Sequence, residues 1–341
     1  MKQQLTSKER FFLLLNNRPA DRPAVINPVS AATSESASAL GLDFSKTHLD
    51  AGSAAALACH IREAAGFDSI MPYFSVVAEA AALGARVSWG DSRNMPSVRG
   101  AIYSEPEQVT IPPDFLDRNS ASCIINAIKL ISKRSGSDAL ILGKAMGPWS
   151  LCMSMFGMEN TLIATIDERD KLSDMLKAFS RITHVFTEAQ LEAGADMVTI
   201  ADHVTRNLVG PNVYDYFIKP LHAGLNAAFP GKLLLHCCGN TEDRARLFSE
   251  AGFPLYHFES ANRIPVMLEQ AGQMKLTGCV NNPSILLKGG AKDVFDSAND
   301  ILRQGIDILS PECAVPLDTP NANLRAIYEC AAAYGAAAHG S

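Results

Sequence analysis

Leu234-Leu235-His236-Cys237-Cys238-Gly239-Asn240 is an apolar run that ends in an imidazole, two thiols and a glycine. The run from Lys232 to His236 is continuous and not alternating, as expected of a parallel strand buried on both faces. On extended backbone, residues i and i+2 share a face. His236 and Cys238 therefore project side by side, and Cys237 turns the other way into packing. An imidazole nitrogen beside a thiolate sulfur suits zinc, a borderline-soft ion that takes N and S ligands. Two ligands do not complete a site, so further donors are expected from other strand ends.

Working outward, similar apolar runs occupy Ala24–Asn27, Ser69–Pro72, Ala139–Leu142, Met197–Ala201, Leu255–Phe258, Lys275–Val280 and Ile306–Leu309. Amphipathic stretches alternate with the later ones, at 167–193, 213–228, 241–251, 264–271, 291–304 and 321–334; two more lie at 7–16 and 51–65. Alternating βα units predict a parallel sheet covered by helices. Nearly eight strands favour an α/β fold closed as a (β/α)8 TIM barrel, with an N-terminal helical extension. Residues from about 83 to 115 are irregular and rich in Pro and Gly, which predicts an insertion near the barrel mouth. The whole chain, 1–341, reads as one domain. No Gly-x-Gly-x-x-Gly follows a strand, and there is no Walker-type phosphate loop.

Barrel active sites are assembled at the C-terminal ends of strands. Cys313, in Ser310-Pro311-Glu312-Cys313, and Glu259, in Tyr256-His257-Phe258-Glu259-Ser260, each follow such a run and are the best further metal ligands. Asp202 closes another strand and is a candidate catalytic group; its plainer reading is a helix-capping aspartate. Tyr73 and His257 are placed to line the mouth, and Tyr73 and Glu259 join Asp202 as candidate catalytic groups. Glu259 also reads as a cap for the helix that follows. Cys59, Cys123, Cys152, Cys279 and Cys330 read as buried thiols. His48, His60, His184, His222 and His339 read as surface or helix residues.

Composition sets bounds. Apolar residues make up 47% of 341, enough for a large core, and the net charge of −6 leaves no basic footprint for nucleic acid. No run of about 18 apolar residues predicts a membrane span, and the N-terminus lacks a signal-peptide core. Eight irregularly spaced cysteines, two of them adjacent, fit a reducing cytoplasm better than a disulfide framework.

The chain resembles the uroporphyrinogen decarboxylase superfamily, and within it the branch of cobalamin:coenzyme M methyltransferases of the methanol and chloromethane pathways. The resemblance is carried by Thr6-Ser7-Lys8-Glu9-Arg10-Phe11 with Arg18-Pro19-Ala20-Asp21-Arg22-Pro23, and by Met71-Pro72-Tyr73 and Met146-Gly147-Pro148. It continues through Glu192-Ala193-Gly194-Ala195-Asp196, Ile200-Ala201-Asp202, His236-x-Cys238-Gly239-Asn240 and Ser310-Pro311-Glu312-Cys313. The His-x-Cys with a distant Cys is also similar to the zinc site of cobalamin-independent methionine synthase, where a glutamate from the next strand completes the set; Glu259 falls at that place. The resemblance implies a TIM barrel with zinc at its C-terminal mouth, held by His236, Cys238, Cys313 and Glu259. The decarboxylases themselves are similar to one another in an N-terminal Arg-Gln-Ala-Gly-Arg segment. This chain has Pro28-Val29-Ser30-Ala31-Ala32-Thr33-Ser34 in that region, without an arginine, which makes uroporphyrinogen decarboxylation the weaker alternative.

The implied function is zinc-dependent methyl transfer between a corrinoid protein and a small substrate, a thiol such as coenzyme M. Zinc would hold the sulfur as a thiolate, the nucleophilic form. The alternative is an enzyme that demethylates a methyl ether or a methylated amine and loads the corrinoid protein; a non-catalytic metal- or corrinoid-binding module is the reading from another class. The chain lacks an Asp-x-His-x-x-Gly segment, so cobalamin is expected on a partner protein. Met146, Met153, Met155 and Met158 read as packing ahead of a surface under a corrin ring, and the 83–115 segment is a candidate docking rim. A sulfonate acceptor needs a basic group in the pocket, and Arg99, Lys144 and Arg206 are the candidates at strand ends.

Overall fold

The computed structural model describes residues 5–91 and 94–339. Eight parallel strands carry the fold: β1 (Ala24–Val25), β2 (Ser69–Ile70), β3 (Leu140–Met146), β4 (Met197–Ala201), β5 (Leu233–His236), β6 (Leu255–Phe258), β7 (Lys275–Val280) and β8 (Ile308–Pro311). Their spatial order is β1-β8-β7-β6-β5-β4-β3-β2. Every apolar run read from the sequence is one of these strands, and the strands with the helices around them form the expected (β/α)8 barrel.

The two short strands, β1 and β2, meet at the barrel's seam. No ladder joins them. Instead Asp68 N–H donates to Val25 O at 2.6 Å, and Asn27 N–H donates to Ser69 Oγ at 2.7 Å. Because β2 stops at Ile70, the upper half of β3 has no strand on its β2 side. Side chains take over: the Gln190 amide pairs with both Lys144 N–H (2.9 Å) and Lys144 O (3.0 Å). Glu79 accepts from Met146 N–H at 2.7 Å, and Thr183 donates to Met146 O at 2.8 Å. Buried main-chain groups need partners, and here helices supply them.

The N-terminal helix, Ser7–Leu15, opens on a Thr6/Glu9 capping box. It lies against the N-terminal end of the barrel. Lys8 pairs with Asp196, just before β4, at 2.9 Å, and Arg10 pairs with Asp68, just before β2, at 2.7 Å. The segment expected to be an insertion holds an antiparallel pair, Val87–Ser88 with Ser97–Val98, and a short turn of helix at Pro106–Gln108. Ile102 and Tyr103 N–H groups both donate to Met155 O, which ties the segment to the helix Pro148–Met155. Residues 92 and 93 of that segment lie outside the described residues, as do Met1–Gln4 of the N-terminus. Helices at Ser34–Ala39, Ala78–Ala82, Asn119–Ser135, Pro148–Met155 and Met158–Ala164 were not read from the sequence. Two of the histidines expected on surfaces or helices, His48 and His222, are buried.

Strand β7 is kinked. Gly278 has φ +125° and Cys279 has φ +71°. A Cβ on Gly278 would stand 2.1 Å from Phe258 O, inside the sheet. Left-handed backbone in a non-glycine residue costs on the order of 1–3 kcal/mol, and overpacking adds a similar amount. Gly278→Ala is therefore expected to destabilise the fold by about 3 kcal/mol, read as a lower denaturant midpoint; an unchanged midpoint would mean that the kink relaxes freely.

Candidate metal centre

The mouth of the barrel is a layer set by strand register. Met146 pairs with Ala201, Ala201 with His236 and His236 with His257, so the ends of β3 to β6 are level. One layer deeper, Lys144 pairs with Thr199 and Thr199 with Leu234. A cavity of about 280 Å³ opens at this mouth, with His236, Cys238 and Cys313 on one side and Lys144, Met146 and Asp202 on the other.

The three donors expected from the sequence do converge. His236 Nε2 is 3.0 Å from Cys238 Sγ, the two sulfurs are 3.3 Å apart, and Cys313 Sγ is 3.6 Å from His236 Nε2. Among the described residues this is the one group of three or more His, Cys, Asp or Glu side chains whose ligand atoms gather this closely. The edges of a tetrahedral zinc site with N and S ligands measure about 3.6–3.8 Å, from Zn–S of about 2.3 Å and Zn–N of about 2.1 Å. The observed triangle is smaller by a few tenths of an ångström, so the donors fit zinc with small outward movements. As free thiols, Cys238 and Cys313 share a proton. The hydrogen bond from Cys238 draws the Cys313 thiol well down, burial opposes this, and the His236 charge adds to it; the same bond together with burial pushes Cys238 well up. A bound cation would replace that proton.

Glu259 stands outside this triangle. Its carboxyl is pushed up by burial, opposed by the Gly239 N–H it accepts from, and raised further by Cys313 and Glu312. Its main-chain carbonyl accepts from Asn262 N–H at 3.1 Å. Asp202 lines the cavity with both of its carboxylate oxygens engaged: Ser150 N–H donates at 2.7 Å, Trp149 N–H at 3.3 Å and His222 Nε2–H at 3.0 Å. It thus caps the helix Pro148–Met155, the plainer reading, while also lining the mouth. A Cβ on Gly147 would come within 2.2 Å of Asp202 Cγ, which is why glycine precedes that helix. Tyr73 does not reach the cavity. Its hydroxyl donates to Glu79 and accepts from Ala78 N–H at 3.0 Å. Burial and Glu79 hold that hydroxyl well above the usual range, so it stays protonated. His257 lies beside His236, with ring centroids 4.6 Å apart, and donates from Nε2 to Pro311 O at 2.6 Å.

Three residues shape the centre without having been singled out. Glu79 is a buried acid in an alanine-rich helix; that lone charge among alanines was the available signal. Glu312 ties three loops at the mouth, accepting from Ser260 N–H (2.9 Å), Asn281 Nδ2 (3.1 Å) and Asn282 N–H (2.8 Å). It turns away from the cavity as its neighbour Cys313 turns toward it. His222, buried on its helix, accepts from the Tyr214 hydroxyl at 3.1 Å while donating to Asp202. Of the three basic candidates, Arg99 and Arg206 are exposed and only Lys144 lines the cavity. Burial draws the Lys144 ammonium down to about 8, opposed by Glu79, Cys313 and Cys238.

The chain matches the uroporphyrinogen decarboxylase (URO-D) family over residues 6–334. It is 27% identical to the methylcobamide:CoM methyltransferase MtbA of Methanosarcina acetivorans, covering 97% of this chain and 99% of that protein. It is 24% identical to the methylated-thiol–coenzyme M methyltransferase of Methanosarcina mazei, over 96% of this chain and 89% of that one. The solved structure of a methyltransferase from Methanosarcina mazei superposes with a TM-score of 0.92 at 26% identity, covering 96% and 98% of the two chains. With the match running almost end to end and the strand-end donors in place, the chain belongs to the uroporphyrinogen decarboxylase family.

Proposed function

We propose that this protein is a zinc-dependent methyltransferase that moves a methyl group between a corrinoid carried by a partner protein and a small thiol. The observation that carries the reading is the convergence of His236 Nε2, Cys238 Sγ and Cys313 Sγ within 3.0–3.6 Å on one side of a barrel-mouth cavity. Methyltransferase relatives that match nearly the whole chain support it, and residues 1–341 are taken as one catalytic unit.

His236, Cys238 and Cys313 would hold the zinc. Three protein ligands leave a coordination position for substrate, the arrangement of catalytic and not structural zinc. When bound, zinc would keep the substrate sulfur as a nucleophilic thiolate at neutral pH. The cavity, about 280 Å³, admits a small thiol and leaves the methyl donor at the open mouth. Displacement needs nucleophile and leaving atom on opposite sides of the methyl group, so the corrinoid must face the barrel mouth from outside. Asp202 and Tyr73 act as positioning residues: Asp202 fixes the helix Pro148–Met155 at the rim, and Tyr73 holds Glu79 and backs Lys144, whose Nζ lies 4.4 Å over its ring. Among the described residues no helix is long and apolar enough to cross a membrane.

The test is zinc stoichiometry measured beside demethylation of methylcobalamin by a panel of thiols, with and without the metal. Thiol-dependent demethylation that follows zinc content is expected; zinc-loaded protein inert toward every thiol would defeat the reading.

Glu259 is the exchangeable donor in this scheme. Its carboxylate sits on the loop after β6, next to the His236 strand, close enough to feel the charges of Cys313 and His236 yet outside their triangle. Glu259→Gln is expected to keep full zinc and lower thiol-dependent turnover about 10- to 100-fold, the range for groups that tune a metal's ligands. Zinc loss in this variant would make Glu259 a permanent ligand, and unchanged turnover would remove it from the site.

A further inference from the structure

Glu312 stands next to Cys313 but does not line the cavity. It is 6% exposed, and none of the described Lys, Arg or His side chains pairs with it. Four donors hold the carboxylate instead. One oxygen accepts from Ser260 N–H and from the Ser260 hydroxyl, and the other from Asn281 Nδ2 and Asn282 N–H. Asn281 Nδ2 also reaches Ser260 Oγ at 2.9 Å. A buried carboxylate costs free energy unless its lone pairs are met. Here they are met by two neighbouring loops at once. An amide would offer those donors a single oxygen, and an apolar side chain none.

The segment that carries Glu312 is gripped along its length. Glu312 N–H donates to Val280 O at 3.0 Å, and Pro311 O accepts from His257. Asn282 Nδ2 donates to Cys313 O at 3.1 Å and to Ala314 O at 2.8 Å. At the other end of the contact, Ser260 follows Glu259, and the Glu259 carboxyl accepts from Gly239 N–H, one residue past Cys238. A chain of contacts therefore runs around the mouth, from Cys238–Gly239 to Glu259–Ser260 to Glu312–Cys313. It links the loops after β5, β6 and β8. Each of these loops carries one donor: Cys238, Glu259 and Cys313.

We infer that Glu312 is a positioning residue that fixes the Cys313 sulfur against Cys238 and holds the Glu259 loop outside the triangle. The inference rests on the zinc reading given above and adds what sets the number of sulfur ligands. Without the carboxylate, Ser260 N–H and Asn282 N–H lose their acceptor, and nothing joins the Cys313 loop to the Glu259 loop. His236 and Cys238 keep their places, because they continue directly from β5.

The test is zinc affinity, with the absorption spectrum of the cobalt(II)-substituted full chain, in the parent, Glu312→Ala and Glu312→Gln. Cobalt(II) accepts the same N and S donors, and its thiolate-to-metal charge-transfer absorption scales with the number of bound sulfurs. Glu312→Ala is expected to bind zinc about 10- to 100-fold more weakly, the range for groups that orient metal ligands. Its cobalt band falls from that of two thiolates toward that of one. Glu312→Gln restores part of both, because its one amide oxygen serves one loop. A merely structural strut would lower the denaturant midpoint and leave affinity and band of the folded protein as in the parent; that result overturns the inference. Where Glu312→Ala does not fold, Glu312→Gln decides alone, since its amide nitrogen cannot accept from Ser260 or Asn282. Parent-like affinity and band then overturn the inference, and a loss of both upholds it. A parent that holds no metal defeats the zinc reading itself. A loaded parent that moves no methyl group defeats the methyltransferase reading and leaves the positioning role standing.

Discussion

Replacing Cys238 and Cys313 together by alanine is expected to empty the centre of zinc and abolish thiol-dependent demethylation of methylcobalamin, while the barrel stays folded. The two sulfurs, 3.3 Å apart, are the donors that make the centre soft. Structural zinc in small domains is bound by on the order of 10–16 kcal/mol over four ligands, roughly 3 kcal/mol each, so two lost ligands weaken zinc on the order of 10⁴-fold or more. Folding is spared because both side chains sit in loops above the strands and are only half-buried, whereas the core lies below. Neighbouring groups do not make up the loss. Glu259 lies outside the triangle, and Lys144 is a cation. Metal analysis paired with circular dichroism checks the prediction, and one zinc per chain in the folded double variant would defeat the assignment.

The sequence made the barrel readable for a simple reason. Parallel strands buried on both faces are uninterrupted apolar runs, so Leu233–His236 and Lys275–Val280 stand out against the helices between them. Even the two-residue strands Ala24–Val25 and Ser69–Ile70 fell inside runs read as strands. The helix Asn119–Ser135 did not, although Ile124, Ile125, Ile128 and Ile131 mark its buried face. It follows the irregular 83–115 segment, and no capping side chain announces its start. At the centre, His236 and Cys238 were legible because strand periodicity alone puts them on one face. Cys313 needed only the rule that barrels work at strand ends. Tyr73 satisfies the same rule, but its hydroxyl turns to Glu79, six residues on in the following helix. That turn depends on a buried acid whose role emerges only when β2 ends early and leaves Met146 N–H without a strand partner. Lys144 is similar. A lysine inside Leu140–Met146 is visible in sequence, but its main chain is held by Gln190 from the helix Arg169–Glu192 and its ammonium lies over Tyr73 from the loop after β2.

At the opposite end of the barrel the expected result is a loss of stability with no loss of chemistry. Asp68 holds the seam where β1 and β2 lack a ladder. Its carboxylate accepts from Arg10 Nη1 at 2.7 Å, from Arg22 at 2.8 and 2.9 Å and from Val25 N–H at 2.9 Å. Its main chain reaches Val25 O on one side and accepts from Leu140 N–H on the other, so one residue joins β1, β2 and β3. The side chain of Asp68 is 1% exposed and that of Arg10 is 5% exposed. Asp68→Ala leaves Arg22 without its carboxylate, leaves Arg10 with Asp21 alone and orphans Val25 N–H. Removing one partner of a buried ion pair costs about 3–5 kcal/mol, a large fraction of a typical folding free energy of about 5–15 kcal/mol. A denaturant midpoint lowered to match, with zinc affinity and thiol selectivity unchanged in the folded fraction, is the outcome that follows from a seam at the N-terminal face and a centre at the C-terminal face. A midpoint unmoved by the substitution would mean that Asp68 N–H to Val25 O and the β1–β8 pairing close the barrel without the carboxylate.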